Sequence, residues 1–231
     1  MDPLNILKIA TSIITVILAF IAGFIELRKN PDYWLNRWFA LYFTTLSLGF
    51  LVYTIYHFIT IDPTPIVPLM ITAQILYNLG LICFLMTSFV LEYSETIAMS
   101  KKYLSIALIL FIISIFGYFI WIPELNMANF QKGIVDTETP LPWYLFVNIF
   151  RIGVSLYVLY KFGLITKKLE GTEKKRIMWF FIGSTINVVG ILLNMLGNIL
   201  HLILEIIGLA TFNVGTFFIV RGFLLQKSKE N

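Results

Sequence analysis

Charge is what this sequence lacks. Only 13% of its 231 residues are charged while 58% are hydrophobic, and the mean hydropathy is +0.85. A soluble domain carries about twice that charge, so a water-soluble fold is excluded and lipid has to serve as solvent. Cysteine is nearly absent: Cys83 stands alone, which excludes an intramolecular disulfide. With two histidines and one cysteine scattered over separate apolar runs, neither a metal hydrolase nor a thiol nucleophile has its ligands or partners. There is no H-E-x-x-H, no G-x-S-x-G, no P-loop and no Gly-rich dinucleotide fingerprint, so no enzymatic activity and no cofactor or metal is expected. Retinal linkage is excluded too, because the last apolar run has no lysine and Asn213 stands where a Schiff-base lysine would be needed. Proline is missing from the middle of every apolar run. Pro3, Pro31, Pro63, Pro65, Pro68, Pro123, Pro140 and Pro142 all fall at run ends or between runs, where a missing N–H costs little. Broken helices and repeated halves, the usual build of a transporter's midplane site, are not in evidence.

What fills the chain is bilayer-length apolar sequence. Nearly uncharged stretches run Ile9 to Ile25, Trp38 to Ile61, Ile66 to Leu91, Tyr103 to Ile122, Leu141 to Tyr160, and Ile177 to Val220. The last would be ~65 Å long as one helix, about twice the hydrocarbon core, so it must double back, with Gly197-Asn198 as the expected turn. The expectation is an all-α, polytopic bundle of seven transmembrane helices forming one domain over 1–231, with spans near 5–27, 38–60, 67–91, 103–122, 142–162, 177–197 and 200–222. The first span reads as an anchor rather than a cleaved signal.

Lysine and arginine set the orientation. Arg28, Lys29 and Arg37 lie between spans 1 and 2, Lys101 and Lys102 between 3 and 4, Lys161, Lys167, Lys168, Lys174, Lys175 and Arg176 around the link from 5 to 6, and Arg221, Lys227 and Lys229 at the end. These are alternate connections and hence one side, cytoplasmic by the positive-inside rule, with the N-terminus outside. The opposite connections carry Asp62, Glu124, Asp136 and Glu138 against Lys132. Topology accounts for the net charge of +4, and no nucleic-acid role is assigned.

Polar residues inside the spans fall into stripes. In span 6, Gly183, Asn187, Gly190, Asn194 and Gly197 alternate by four and three, and in span 7 His201, Glu205, Gly208, Phe212, Gly215, Ile219 and Gly222 continue that spacing. Such stripes are usually packing seams. Buried charges differ: Arg151, near the middle of span 5, and Glu205, a turn or two into span 7, each need a partner or water. They are expected to pair with each other, as a binding element or as a structural clasp. His57 and His201 read as interface anchors. Counted from the outer ends, the polar set lies in the outer half or at the midplane, which suggests a cavity open to the outside. The candidate ligand-binding residues are Gln74, Asn78, Tyr144, Asn148, Arg151, Asn187, Asn194, His201 and Glu205.

Asn36-Arg37-Trp38-Phe39-Ala40-Leu41 and Leu46-Ser47-Leu48-Gly49-Phe50 in span 2, Ile75-Leu76-Tyr77-Asn78-Leu79-Gly80 and Phe89-Val90-Leu91-Glu92-Tyr93-Ser94 in span 3, and Arg221-Gly222-Phe223-Leu224-Leu225 after span 7 carry a resemblance. With these motifs the chain resembles the N-terminal seven-transmembrane region of membrane histidine kinases. It departs from that pattern in lacking a tryptophan in the middle of span 2. No dimerisation helix, phospho-acceptor histidine or ATP-binding domain follows span 7 before Asn231. The resemblance therefore implies a stand-alone sensor or receptor-like module of the plasma membrane, without kinase activity. It would sense an extracellular or membrane-borne small molecule or lipid and signal through a separate cytoplasmic or membrane partner, with bilayer lipid around it. A small transporter or lipid-handling protein, or a structural membrane scaffold, is the alternative.

Overall fold

A computed structural model describes residues 1–225 of the chain. Seven of its helices are long and apolar enough to cross a membrane: α1 (Pro3–Lys29), α2 (Trp34–His57), α3 (Ile66–Tyr93), α5 (Lys101–Ile120), α7 (Leu141–Thr166), α8 (Gly171–Leu200) and α9 (Leu202–Leu224). The protein is accordingly an all-helical, integral membrane bundle. Two short helices, α4 (Glu95–Ala98) and α6 (Met127–Phe130), sit in connections. Strands β1 (Glu124–Leu125) and β2 (Thr137–Glu138) pair antiparallel around α6. Local chemistry marks several boundaries. Pro3 occupies the first turn of α1, where its missing N–H is harmless, and Asp2 caps that turn by accepting from the Leu4 N–H at 2.8 Å. Arg28 and Lys29 close the same helix at its negative dipole end. Ser94 turns the chain from α3 into α4 with φ of 72°, a left-handed conformation unusual for a residue with a Cβ.

Helices extend past the apolar runs at both ends. α8 begins at Gly171, because Lys174 and Lys175 are good helix formers whose exposed side chains let the backbone stay helical beyond the apolar run, while Arg176 is part-buried. The turn expected at Gly197-Asn198 lies instead at His201. Helical bonding continues through it, since the His201 N–H donates to the Gly197 carbonyl at 3.0 Å, and His201 Nδ1 then caps α9 by accepting from the Ile203 N–H at 3.2 Å. Gly197 does not turn the chain; it lets α9 approach, because a Cβ there would collide with the backbone of Leu204 and Glu205. Gly183 and Gly190 do the same along α8 against the carbonyls of Gly215 and Gly208. The small-residue stripe is thus a close helix–helix seam.

Around the bundle the long helices run α1, α2, α3, α7, α8, α9 and back to α1, with α5 set outside against α3 and α7. α5 accordingly leaves Leu108, Ile109, Ile112, Phe116 and Phe119 exposed, as a lipid-facing flank requires. The alternating helix directions create two ends. At the basic end a dense aromatic core joins Phe39, Phe84, Phe162, Phe180 and Phe223, with the Phe39 and Phe180 rings edge to face at 5.2 Å. At the other end, called here the hairpin end, Phe50, Tyr53, Tyr56, Met70 and Leu209 form a second cluster that the buried Val135 joins from the segment between the two strands. The Asp2 N–H donates to the Gly133 carbonyl at 3.3 Å and ties the start of α1 to this same excursion. The Asp62 carboxylate in the α2–α3 connection accepts from the Thr64 hydroxyl at 2.7 Å and its N–H at 3.0 Å, which holds its pKa below the usual carboxylate value.

Candidate functional site

Between the aromatic core and the hairpin end lies a cavity of about 170 Å³, walled by α2, α3, α7, α8 and α9 and touched by Tyr118 of α5 and Thr137 and Thr139 of the hairpin. On the order of ten waters, or a molecule of about that many non-hydrogen atoms, fit such a space. It adjoins a wider recess of about 550 Å³ lined by Glu124, Asp136 and Glu138, the two sharing Thr139, Tyr144 and Asn198. The α2 wall is a stripe at helical spacing, Tyr42, Leu46, Phe50 and Tyr53, and α3 adds Met70, Gln74, Tyr77 and Leu81 in the same way.

Two ionised side chains reach this cavity, and they do not pair. Glu205 bonds Lys8 of α1 at 2.7 Å and accepts from the Tyr53 hydroxyl at 3.2 Å. Arg151 donates through Nε to Asn78 Oδ1 at 2.7 Å and through Nη2 to Gln74 Oε1 at 2.8 Å. The expected Arg151–Glu205 pair is therefore overturned. α1 packs directly on α9, so a lysine two turns into α1 meets Glu205, whereas α7 packs on α3 and Arg151 meets amides. The amides are themselves held: Asn78 Nδ2 donates to the Ser114 carbonyl at 2.8 Å, and the Tyr118 hydroxyl donates to Gln74 Oε1 at 3.2 Å. Asn78 consequently presents its oxygen, not its nitrogen, to the guanidinium.

Of the residues expected from the sequence, Gln74, Tyr144, Asn148, Arg151, Asn194 and Glu205 line the cavity, and Asn78 stands directly behind Arg151. Tyr144 links α7 to α8 by donating to the Met195 carbonyl at 3.2 Å, while Asn148 donates to the Tyr144 carbonyl of its own helix at 2.9 Å. Asn187 and His201 are not brought to it. Asn187 is buried in the α8–α9 seam against Gly215, and His201 is exposed at the turn. His57 is not an interface anchor either: it is buried against Tyr53 and Tyr56, its Nδ1–H donating to the Tyr53 carbonyl at 2.8 Å, and Asn5 Nδ2 donates to its own carbonyl at 2.8 Å. Lys8, Tyr53 and Tyr77 went unread in the sequence. The tyrosines stand at helical spacing in the sequence, whereas Lys8 lies just before the Ile9 to Ile25 apolar run, where a lysine ordinarily reaches water. Among the described residues, no three His, Cys, Asp or Glu side chains converge as a metal site would need.

Fold and site together define a seven-helix membrane bundle enclosing a polar-and-aromatic cavity toward one end. No protein-family model, no curated protein and no solved structure matches the chain. The likeness to histidine-kinase sensor regions thus rests on its short sequence motifs.

Proposed function

We propose that the protein is a receptor-like sensor of the plasma membrane, with its N-terminus and hairpin end outside and its basic end in the cytoplasm. A small molecule entering from the hairpin end occupies the cavity, favours one packing of α8 and α9 against α1 and α2, and alters the basic face where a separate partner docks. The observation that carries this reading is the cavity's one-sidedness. It adjoins the acidic recess at one end and stops at the Phe39–Phe84–Phe162–Phe180–Phe223 core at the other, across which no helix is interrupted. A transporter needs access from both sides in turn, and a dense aromatic floor built from five helices favours a receptor instead. The resemblance to histidine-kinase sensor regions points the same way, the output being a partner protein.

The test uses the protein in lipid nanodiscs with a fluorophore on a cysteine replacing Thr172, at the basic end, in a Cys83→Ala background. A small-molecule extract of the host's medium and membranes is added and the emission is followed. A saturable change that disappears on filling the cavity by Leu81→Trp supports the receptor. Uptake of the active fraction into proteoliposomes against the same variant would assign the cavity to transport, and no response would leave a scaffold.

A further inference from the structure

We propose that Arg151 is the anchor for the carboxylate of a small monoanionic ligand with an apolar or aromatic body, a deduction that rests on the cavity being a ligand site. The charge distribution carries it. Glu205 is neutralised by Lys8, on the α1 side of the cavity. Arg151 meets only neutral groups, the oxygens of Asn78 and Gln74 and the Tyr118 hydroxyl, and among the described residues no carboxylate lies within 4 Å of it. The cavity therefore carries one uncompensated positive charge at mid-helix depth, an arrangement that is costly unless an anion completes it. The bonds to the two amides use Nε and one hydrogen of Nη2, and the guanidinium's other N–H groups, which also neighbour the Tyr118 hydroxyl, are the edge that a two-oxygen acceptor such as a carboxylate would meet.

Two further features narrow the ligand. The guanidinium is held before any ligand arrives, because Ser114 and Tyr118 fix the amides that fix it, so little ordering remains to be done on binding. The Tyr77 side chain lines the same cavity, and its hydroxyl, sealed from it and without a hydrogen-bond partner, becomes a donor to a ligand oxygen on a small rotation of the ring. Phe50, Tyr53, Leu81 and Phe212 line the remaining space and suit an apolar or aromatic body of about ten non-hydrogen atoms. The three carboxylates of the outer recess, with Glu124 directly opposite Glu138 across the two-stranded ladder, disfavour multiply charged anions such as phosphate at the mouth.

The experiment titrates the whole protein, in phosphatidylcholine nanodiscs, with phenylacetate, its neutral isostere phenylacetamide, the cation phenethylamine and inorganic phosphate, read by calorimetry. Phenylacetate should bind about tenfold or more tighter than phenylacetamide, and phosphate and phenethylamine should not compete. Arg151→Gln should abolish that preference, Arg151→Lys should keep part of it, and Tyr77→Phe should weaken phenylacetate several-fold while leaving the thermal unfolding profile intact. The last variant decides the matter if Arg151→Gln does not fold. Adding phosphatidylglycerol to the nanodiscs should leave phenylacetate binding unchanged; competition would give the Arg151 anion to a lipid headgroup and overturn the small-ligand assignment. Equal affinity for acid and amide, preference for the amine, or no binding of phenylacetate would each overturn the proposal. The sensor reading stands or falls separately, on the Thr172 fluorescence response to the extract.

Discussion

Lys8 is the residue whose environment differs most from its sequence context. It is 1% exposed although it precedes the first apolar run, and its ammonium is fixed by Glu205. Removing one member of such a pair strands the other as a buried charge, which costs about 3–5 kcal/mol, while removing both restores much of the loss. Lys8→Met is therefore expected to destabilise strongly and Lys8→Met with Glu205→Gln much less, whereas Arg151→Met and Glu205→Gln should combine additively. Thermal unfolding of the single and double variants in nanodiscs measures both couplings; a large Arg151–Glu205 coupling with none between Lys8 and Glu205 would contradict the observed pairing. Two hydroxyl contacts sit on the same α1 face: Ser12 meets Thr54 at 2.7 Å, and Thr15 donates to Asn213 at 2.6 Å. These hydroxyls make α1's polar seam with α2 and α9.

At the scale of elements, the α8–α9 pair is set by absent side chains. A Cβ on Gly183 would meet the Gly215 carbonyl and the Ile219 side chain, and one on Gly197 would meet the Glu205 backbone. Backbone cannot rotate aside as a side-chain tip can, so Gly183→Ala and Gly197→Ala should force the helices apart and destabilise by about 1–3 kcal/mol. Gly153, in the middle of α7, has nothing within 4 Å of the position its Cβ would take. Gly153→Ala should be neutral or stabilising by up to about 1 kcal/mol through helix propensity. Unfolding midpoints that move the same way for all three would show that the seam is not backbone-limited. The glycine spacing made this seam readable, but not that Asn187 would be buried within it rather than brought to the cavity. Both side-chain polar atoms of Asn187 lack partners, and nothing in the structure explains why an amide is placed there.

For the whole molecule, the orientation has a direct test. Single cysteines replacing Asp136 and Thr172 in a Cys83→Ala background should react with an impermeant maleimide from opposite sides of the membrane, Asp136 from outside. Labelling of both from one side would end the seven-span topology. On the proposed orientation, the basic connection around Lys167, Lys168, Lys174 and Lys175 would face anionic lipid, an attraction of about 1 kcal/mol per charge that is enough to account for its composition. A docking partner is expected to add a discrete protein adduct on crosslinking from Thr172 that vanishes when Lys174 and Lys175 are changed to Glu; capture of lipid alone would remove the docking step from the proposed function.

The count of spanning helices, their approximate extents and the need of Arg151 and Glu205 for partners inside the bundle were determined by the sequence alone, whereas the burial of Lys8 was not. Bilayer thickness, backbone hydrogen bonding and the cost of burying charge are one-dimensional constraints that apply to a run of residues whatever its neighbours. Pairing was decided by tertiary structure. Arg151 was recognisable as a charge that must be satisfied, but whether Glu205, Asn78 or Gln74 satisfied it depended on α7 packing beside α3 and α1 beside α9, a ring order that the apolar runs do not encode. The short ladder of β1 and β2 and the burial of Val135 beneath it lay equally outside the sequence pattern, because a two-residue strand has too little periodicity to be seen and is held by the bundle against which it packs.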